Sequence, residues 1–453
     1  MSEPINCLLR EGLVRRSGIL VAIICLAVGA RSARAERYMI IGDSLSREYQ
    51  FEFTEFDEAR NWVEILSAIR PDDFDFGKLR TVDLSFIDSS WDINSHAYNW
   101  ALPTFSADQY NGLLNGSGLT DLLFQQLINP AYDDTERAVI FIGGNDLDRI
   151  YNEIYQGRDE NNTGVKAIYS DIEDILLEVE NQNSDLGIVL VNVPHVGATP
   201  EVKSAHPTDP VMTQRVSDAI ELLNRQLAKL AVEHDAAFAD VYTLTKGLID
   251  PAPLCIGGVP FINEGSDDGD PSYVWLGGNL AANFHPNTNG QALVARAIVD
   301  AINEHFSENI APLTDAEILE SVLNVSPSMP FDTWAAGFGL PEGQSGTGDD
   351  PDSDGVDNVI EFALGMHPLE ADSQRLPSPV AESIDGASML TMRYQPRAED
   401  CPFVKIIPQS SIDLDEWETI APTALTTSSD GTVTVRLPLS GTVYIRLLVT
   451  IGG

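Results

Sequence analysis

Three polar side chains, two of them where an apolar run stops, are of types that acyl-transfer chemistry uses. Ser44 follows Tyr38-Met39-Ile40-Ile41 and Gly42-Asp43. A strand that turns sharply into a helix exposes the residue at the turn and aims the helix's first N–H groups at whatever binds there. A serine hydroxyl there needs a base to take its proton and donors for the oxyanion it generates. Alone, Ser44 reads more readily as a helix cap. Asn145, in Gly143-Gly144-Asn145-Asp146, follows the run Ala138 to Ile142, and its amide can reach across the strand ends. His285-Pro286 precedes an amphipathic segment, and the proline keeps the histidine on a non-helical approach to it. His195, after the run Ile188 to Val193, is a rival base and reads as a loop histidine.

The runs that carry these residues are short, continuous and apolar, which suits parallel strands covered on both faces. Between and after them lie segments with helical spacing. Val216, Ala219, Ile220, Leu223, Leu227 and Leu230 form one; Val294, Ala297, Ile298, Ala301 and Ile302 form another. Alternation of this kind builds a doubly wound α/β layer, in which ligands sit at the carboxyl ends of the strands. Both glycine-marked exits, Gly42 and Gly143, fall at that edge.

In this order and on these elements, the blocks resemble the GDSL branch of the SGNH hydrolase family over roughly residues 37–306. Gly42-Asp43-Ser44-Leu45, Gly143-Gly144-Asn145-Asp146 and His285-Pro286 carry the resemblance, and Val191 to Pro200 resembles a strand exit of plant-type members. The resemblance implies a flavodoxin-like, three-layer α/β/α parallel sheet and an ester hydrolase needing no cofactor. Ser44 would be the nucleophile and His285 the base, then the acid. The Ser44 N–H and the Asn145 side chain would line the oxyanion hole. Two positions depart from the pattern. The family's aspartate, three residues before the histidine, is Ala282 here; Asn279 and Asn283 are near but uncharged. This leaves a Ser–His dyad oriented by a backbone carbonyl, or an aspartate from elsewhere. The family's oxyanion glycine falls on Thr104, at the end of Asn99-Trp100-Ala101-Leu102-Pro103-Thr104, and its N–H would serve instead.

A second constellation lies at Asp350 to Glu361. Asp350, Asp352 and Asp354 occupy positions 1, 3 and 5 of a twelve-residue loop, Gly355 position 6, Val356 (through its carbonyl) position 7, Asn358 position 9 and Glu361 position 12. Hard oxygen ligands at this spacing suit a structural Ca²⁺. The segment resembles dockerin-like and thrombospondin-type calcium loops. Asp267-Asp268-Gly269-Asp270 reads as a solvated acidic loop.

The remaining sequence sets the context. Residues 1–35 read as a signal peptide, with Arg10, Arg15 and Arg16 before an apolar Gly18–Ala30 run and Ala33-Arg34-Ala35 at the cleavage site. Their removal takes five arginines and two glutamates and moves the net charge from −42 to −45. Such acidity excludes nucleic acid and anionic membrane surfaces as partners. Cys7 and Cys25 leave with the signal; Cys255 and Cys401 remain, as a disulfide or as two thiols. The expected organisation is a hydrolase domain over 36–310, a connector over 311–349, the calcium loop with a short helix over 350–369, and a small all-β, sandwich-like domain over 370–453. There Tyr394, Phe403, Trp417 and Tyr444 read as core rather than as a sugar-binding face. The expected protein is a secreted serine esterase for acyl glycans or short-chain lipids. Its rival is a non-catalytic, calcium-dependent glycan-binding or cell-surface protein on a decayed hydrolase fold, a reading that Ala282 motivates.

Overall fold

The structure, a computed structural model, describes residues 34–451 except 84–91, 160, 208, 250–253, 258, 279–281, 326–328, 342, 385, 398–403, 429–430 and 440. The signal segment up to residue 33, Asn279, Cys401 and Phe403 therefore lie outside the described residues. No helix among those described is long and apolar enough to cross a membrane.

Among the described residues, ten strands belong to the first part of the chain. They are β1 (Glu36–Gly42), β2 (Phe74–Asp75), β3 (Leu79–Asp83), β4 (Asp92–His96), β5 (Arg137–Phe141), β6 (Gly187–Val191), β7 (Ala237–Ala239), β8 (Leu254–Ile256), β9 (Val259–Ser266) and β10 (Tyr273–Leu276). The central sheet runs β2-β1-β5-β6-β7, entirely parallel. Alternate residues of one strand face opposite sides of a sheet, and both sides here are apolar. Met39, Ile41, Ala138, Ile140, Ile188 and Leu190 enter one core, under helices Ala107–Asn115, Gly144–Tyr155, Thr163–Gln182 and Pro210–Glu233. Tyr38, Ile40, Val139, Phe141, Val189 and Val191 enter the other, under helices Trp62–Ile69 and Thr288–Phe306. This two-sided burial is why the strands read as unbroken apolar runs, and it gives the expected three layers.

The domain extends beyond its expected end. Leu313, Ile318, Leu319 and Leu323, in the stretch read as connector, are buried in the second core. Arg70 holds the segment: its guanidinium donates to both Glu317 carboxylate oxygens at 2.6 Å and to the carbonyls of Ala311 and Pro312. Arg296 pairs with Asp315. Proline and charge at 312–320 hide this packing from a composition reading.

Farther on, helix Met329–Phe338 packs Phe331 and Trp334 against Phe362, with Val404 and Ile451 beside them. Seven further strands follow among the described residues: β11 (Val380–Ile384), β12 (Ala387–Tyr394), β13 (Val404–Ser411), β14 (Glu418–Thr419), β15 (Leu425–Thr427), β16 (Val433–Pro438) and β17 (Tyr444–Ile451). They form two antiparallel sheets, β11-β12-β16-β15 and β14-β13-β17. Met392, Tyr394 and Val435 from one sheet meet Ile406, Ile445 and Leu447 from the other. Of the aromatics expected in this core, Tyr394 is buried, whereas Trp417 lies half-buried under the Arg446 guanidinium and Tyr444 is exposed.

Arg70→Ala strips Glu317 and two carbonyls of their donors together. We expect a loss of about 2 kcal/mol, read as a lower urea midpoint, with a smaller loss for Glu317→Gln because the carbonyl contacts survive.

Candidate active site

The Ser44 turn begins where β1 ends. Gly42 lies so close to β5 that a Cβ would sit 2.7 Å from the Phe141 carbonyl oxygen, so glycine is required there. Asp43 then folds back, its Oδ1 accepting the Leu45 N–H at 2.9 Å, while its carbonyl accepts from Ser46 and Arg47. Two asparagines clamp the far side of the turn. Asn99 donates to the Ser46 carbonyl at 2.8 Å, and Asn61 to the Arg47 carbonyl at 2.8 Å. Trp62 Nε1 donates to Ser46 Oγ. Burial pushes the Asp43 carboxyl up to about 7, opposed by the Leu45 N–H and assisted by Asp146.

His285 arrives from a different part of the chain. Its N–H donates to the Ala282 carbonyl in a short 3₁₀ turn, and its carbonyl accepts the Leu276 N–H from β10. The ring packs on Phe53 with centroids 4.6 Å apart and meets the edge of Tyr49 at 6.2 Å. Tyr49 is fixed in turn: its hydroxyl donates to the Pro286 carbonyl and accepts from Gln291 of the following helix. The result places His285 Nε2 2.7 Å from Ser44 Oγ. Each residue is only 5% exposed. The expected acid position, Ala282, is buried and contributes a carbonyl to the His285 backbone.

Asn145 opens helix Gly144–Tyr155 directly after Gly143, which is left-handed at φ +115°. One amide hydrogen of its side chain goes to the Phe105 carbonyl at 2.9 Å, which orients the second. Asp146 accepts the Ala107 N–H at 2.7 Å, tying this helix to the segment after Thr104. Thr104 itself has φ +66°, the left-handed region that costs a β-branched residue roughly 1–2 kcal/mol. The position where the family pattern has glycine thus keeps a glycine-like backbone with threonine on it. Strain of this kind collects at functional sites.

His195 does not join the pair. It is fully buried, with Nε2 3.0 Å from Ser217 Oγ. Ser217 Oγ donates to the Thr213 carbonyl, so Nε2 carries the hydrogen and Nδ1, without a partner, is the bare nitrogen. The Asp267–Asp270 stretch is a turn between β9 and β10 closed by its own serine and carboxylates. Cys255 is exposed on β8.

At the acidic loop, carboxylate oxygens of Asp350, Asp352 and Asp354 lie within 4.8 Å of one another. Glu361 is fully buried, and neither of its oxygens has a hydrogen-bond partner. Burial, then Asp352, Asp354, Asp372 and Asp350, pushes its carboxyl up to about 7. Asp352 Oδ2 and Asp372 Oδ1 are also buried without partners. Asp372 was not legible in the loop spacing; its signal is an aspartate eleven residues after Glu361. Val356 is buried, and Asn358 donates to the Gln344 and Gly346 carbonyls while its Oδ1 has no partner.

The family model described as GDSL-like Lipase/Acylhydrolase matches residues 38–298. No curated protein matches the sequence. Among solved structures, the chain is similar to a mutant of Axe2, an acetyl-xylooligosaccharide esterase from Geobacillus Stearmophilus, at 14% identity and TM-score 0.33, over 60% of this chain and 95% of that one. It is similar to an extracellular lipase from Streptomyces rimosus at 16% identity and TM-score 0.35, over 60% and 100%. A possible lipase from Chitinophaga pinensis aligns at 15% identity and TM-score 0.32, over 59% and 98%.

Burial holds His195 down at about 4. A histidine with a depressed folded value stabilises fully above 6.5 and loses that contribution as pH falls toward 4. We expect a loss of roughly 3 kcal/mol across that window, and a shallower acid limb of unfolding free energy against pH in His195→Gln.

Proposed function

Because the chain belongs to the GDSL-like lipase/acylhydrolase family and is an ester-bond hydrolase, we propose that it is a secreted serine esterase working through an acyl-enzyme at Ser44. The observation that carries this reading is the 2.7 Å contact between Ser44 Oγ and His285 Nε2. Ser44 Oγ attacks the ester carbonyl carbon while His285 Nε2 takes its proton. The carbonyl π electrons move to oxygen, and that oxyanion meets the Ser44 N–H, the Thr104 N–H and the second amide hydrogen of Asn145. Collapse breaks the bond to the alkoxy group, which leaves with the proton from His285. Water then attacks the acyl-serine with His285 as base, releasing acid and free Ser44. Phe53 and Tyr49 keep the imidazole in place. Acyl glycans and short-chain lipids are the proposed substrates, glycans first. The signal-like N-terminus and the appended β module support export and a polymeric substrate.

A fluorophosphonate probe tests the nucleophile. Wild type should label at neutral pH and Ser44→Ala should not; a wild type that stays unlabelled, with every ester untouched, would instead support the decayed, non-catalytic rival.

We further propose a structural Ca²⁺ held by Asp350, Asp352, Asp354 and Glu361, with the Val356 carbonyl, Asn358 and Asp372 completing its shell. The unpartnered buried oxygens of Glu361, Asp352 and Asp372 support an ion there, and hard oxygen donors select calcium. The ion would neutralise the acidic loop beside Phe362, at the junction with the β module, and takes no part in ester chemistry. Calcium should raise the melting temperature of chelated protein, and Glu361→Gln should remove that rise. A melting temperature indifferent to chelator would dismiss the ion.

A further inference from the structure

Glu48, four residues after Ser44, is a fully buried carboxylate that the ester chemistry itself does not use. Both of its oxygens accept. Oε1 takes the His96 backbone N–H at 2.8 Å and lies 2.8 Å from His96 Nδ1. Oε2 takes the Asn99 side-chain amide at 2.9 Å. The other hydrogen of that amide goes to the Ser46 carbonyl at 2.8 Å, and Asn99 Oδ1 accepts the Ala101 N–H at 3.0 Å. One side chain therefore bonds both the Ser44 turn and the run that leads to Thr104. Leu102 ties the same two segments once more, its N–H donating to the Gly42 carbonyl at 2.9 Å. Reversing the Asn99 amide would set its oxygen against the Ser46 carbonyl and the Glu48 carboxylate, so Glu48 fixes which way it points.

We propose that Glu48 is a positioning residue: through Asn99 it sets the Ser44 N–H relative to the Thr104 N–H, the two backbone donors that meet the oxyanion. The inference rests on the acyl-enzyme reading above and adds a residue to it. Only a carboxylate suits this place, because N–H donors approach both oxygens. A glutamine has one oxygen and one NH2 group. With its oxygen toward His96, its NH2 meets the Asn99 NH2; with its oxygen toward Asn99, its NH2 meets the His96 N–H. Either way a donor faces a donor in a buried space. The Asn99 amide relieves this by turning, which releases Ser46 and Ala101. The oxyanion donors then leave the geometry that the developing charge requires, a loss felt in the transition state and not in the bound ester.

The test is hydrolysis of p-nitrophenyl acetate by the full-length protein, with fluorophosphonate labelling counting the active sites. Glu48→Gln should lower kcat per labelled site by about tenfold or more and leave KM within about twofold. His96→Phe keeps the backbone N–H and removes only the ring nitrogen, so its fall should be smaller, about threefold. That variant decides the matter if Glu48→Gln does not fold. A merely structural role would reduce the labelled fraction and leave kcat per labelled site unchanged. That result in the deciding variant, or a raised KM with kcat intact, would overturn the positioning role and leave the esterase standing. No turnover and no labelling in wild type would remove the esterase reading itself.

Discussion

The contact between Ser44 Oγ and His285 Nε2 spans 241 residues of sequence, and most of the α/β domain's local oddities exist to hold its two ends. On the serine side, the parallel pairing of β1 with β5 brings Gly42 against the Phe141 carbonyl. Only glycine allows that approach, and the chain must then turn. The turn's carbonyls and N–H groups are taken by Asp43, Asn61 and Asn99, so its backbone has few other shapes available. On the histidine side, β10 and Ala282 fix the backbone, while Tyr49, Phe53 and Gln291 fix the ring and its approach. Tyr49 follows Ser44 by five residues and donates to the carbonyl of Pro286. The two ends are therefore braced against each other rather than separately.

This bracing bears on the alanine at 282. An aspartate in that seat would do two things: hold the imidazole's orientation and stabilise the imidazolium that forms when Ser44 gives up its proton. Packing by Phe53 and Tyr49 supplies orientation. It supplies no negative charge. Ala282 instead fills apolar space in a cluster with Tyr49, Phe53 and Leu276. A buried carboxylate at this point would need hydrogen-bond partners of its own. The described aromatic neighbours thus position the ring by packing.

The strands, the two apolar faces of the sheet and the two members of the Ser44–His285 contact were legible because each leaves a local mark. β1, β5 and β6 read as apolar runs, Gly42 and Gly143 punctuate their exits, and His285 is followed by proline and an amphipathic helix. What escaped depends on partners far along the chain. Tyr49 and Phe53 carry no motif and acquire meaning only when Pro286 arrives beside them. Residues 311–323 look like a linker until Arg70 is found holding them. Trp417 and Tyr444 read as core because they are aromatic, yet β17 and the Trp417 turn leave them at the surface. Thr104 was placed by its block, but its left-handed backbone could not be read from a threonine, a residue that disfavours it.

The acidic loop follows a different logic from the hydrolase domain. Around Ser44, the turn's polar groups find partners within the protein. Around Glu361, the nearest charged groups are four more carboxylates, and its own oxygens have no hydrogen-bond partner. Burial and mutual repulsion both favour protonation there, which is why the carboxyl moves up toward neutrality. Next to it in sequence, Phe362 is locked between Phe331 and Trp334 and cannot move Glu361 out to water without breaking that cluster. The apolar packing at the junction thus imposes the charge problem that a cation would solve. An ion bound there would act on the packing around Phe362.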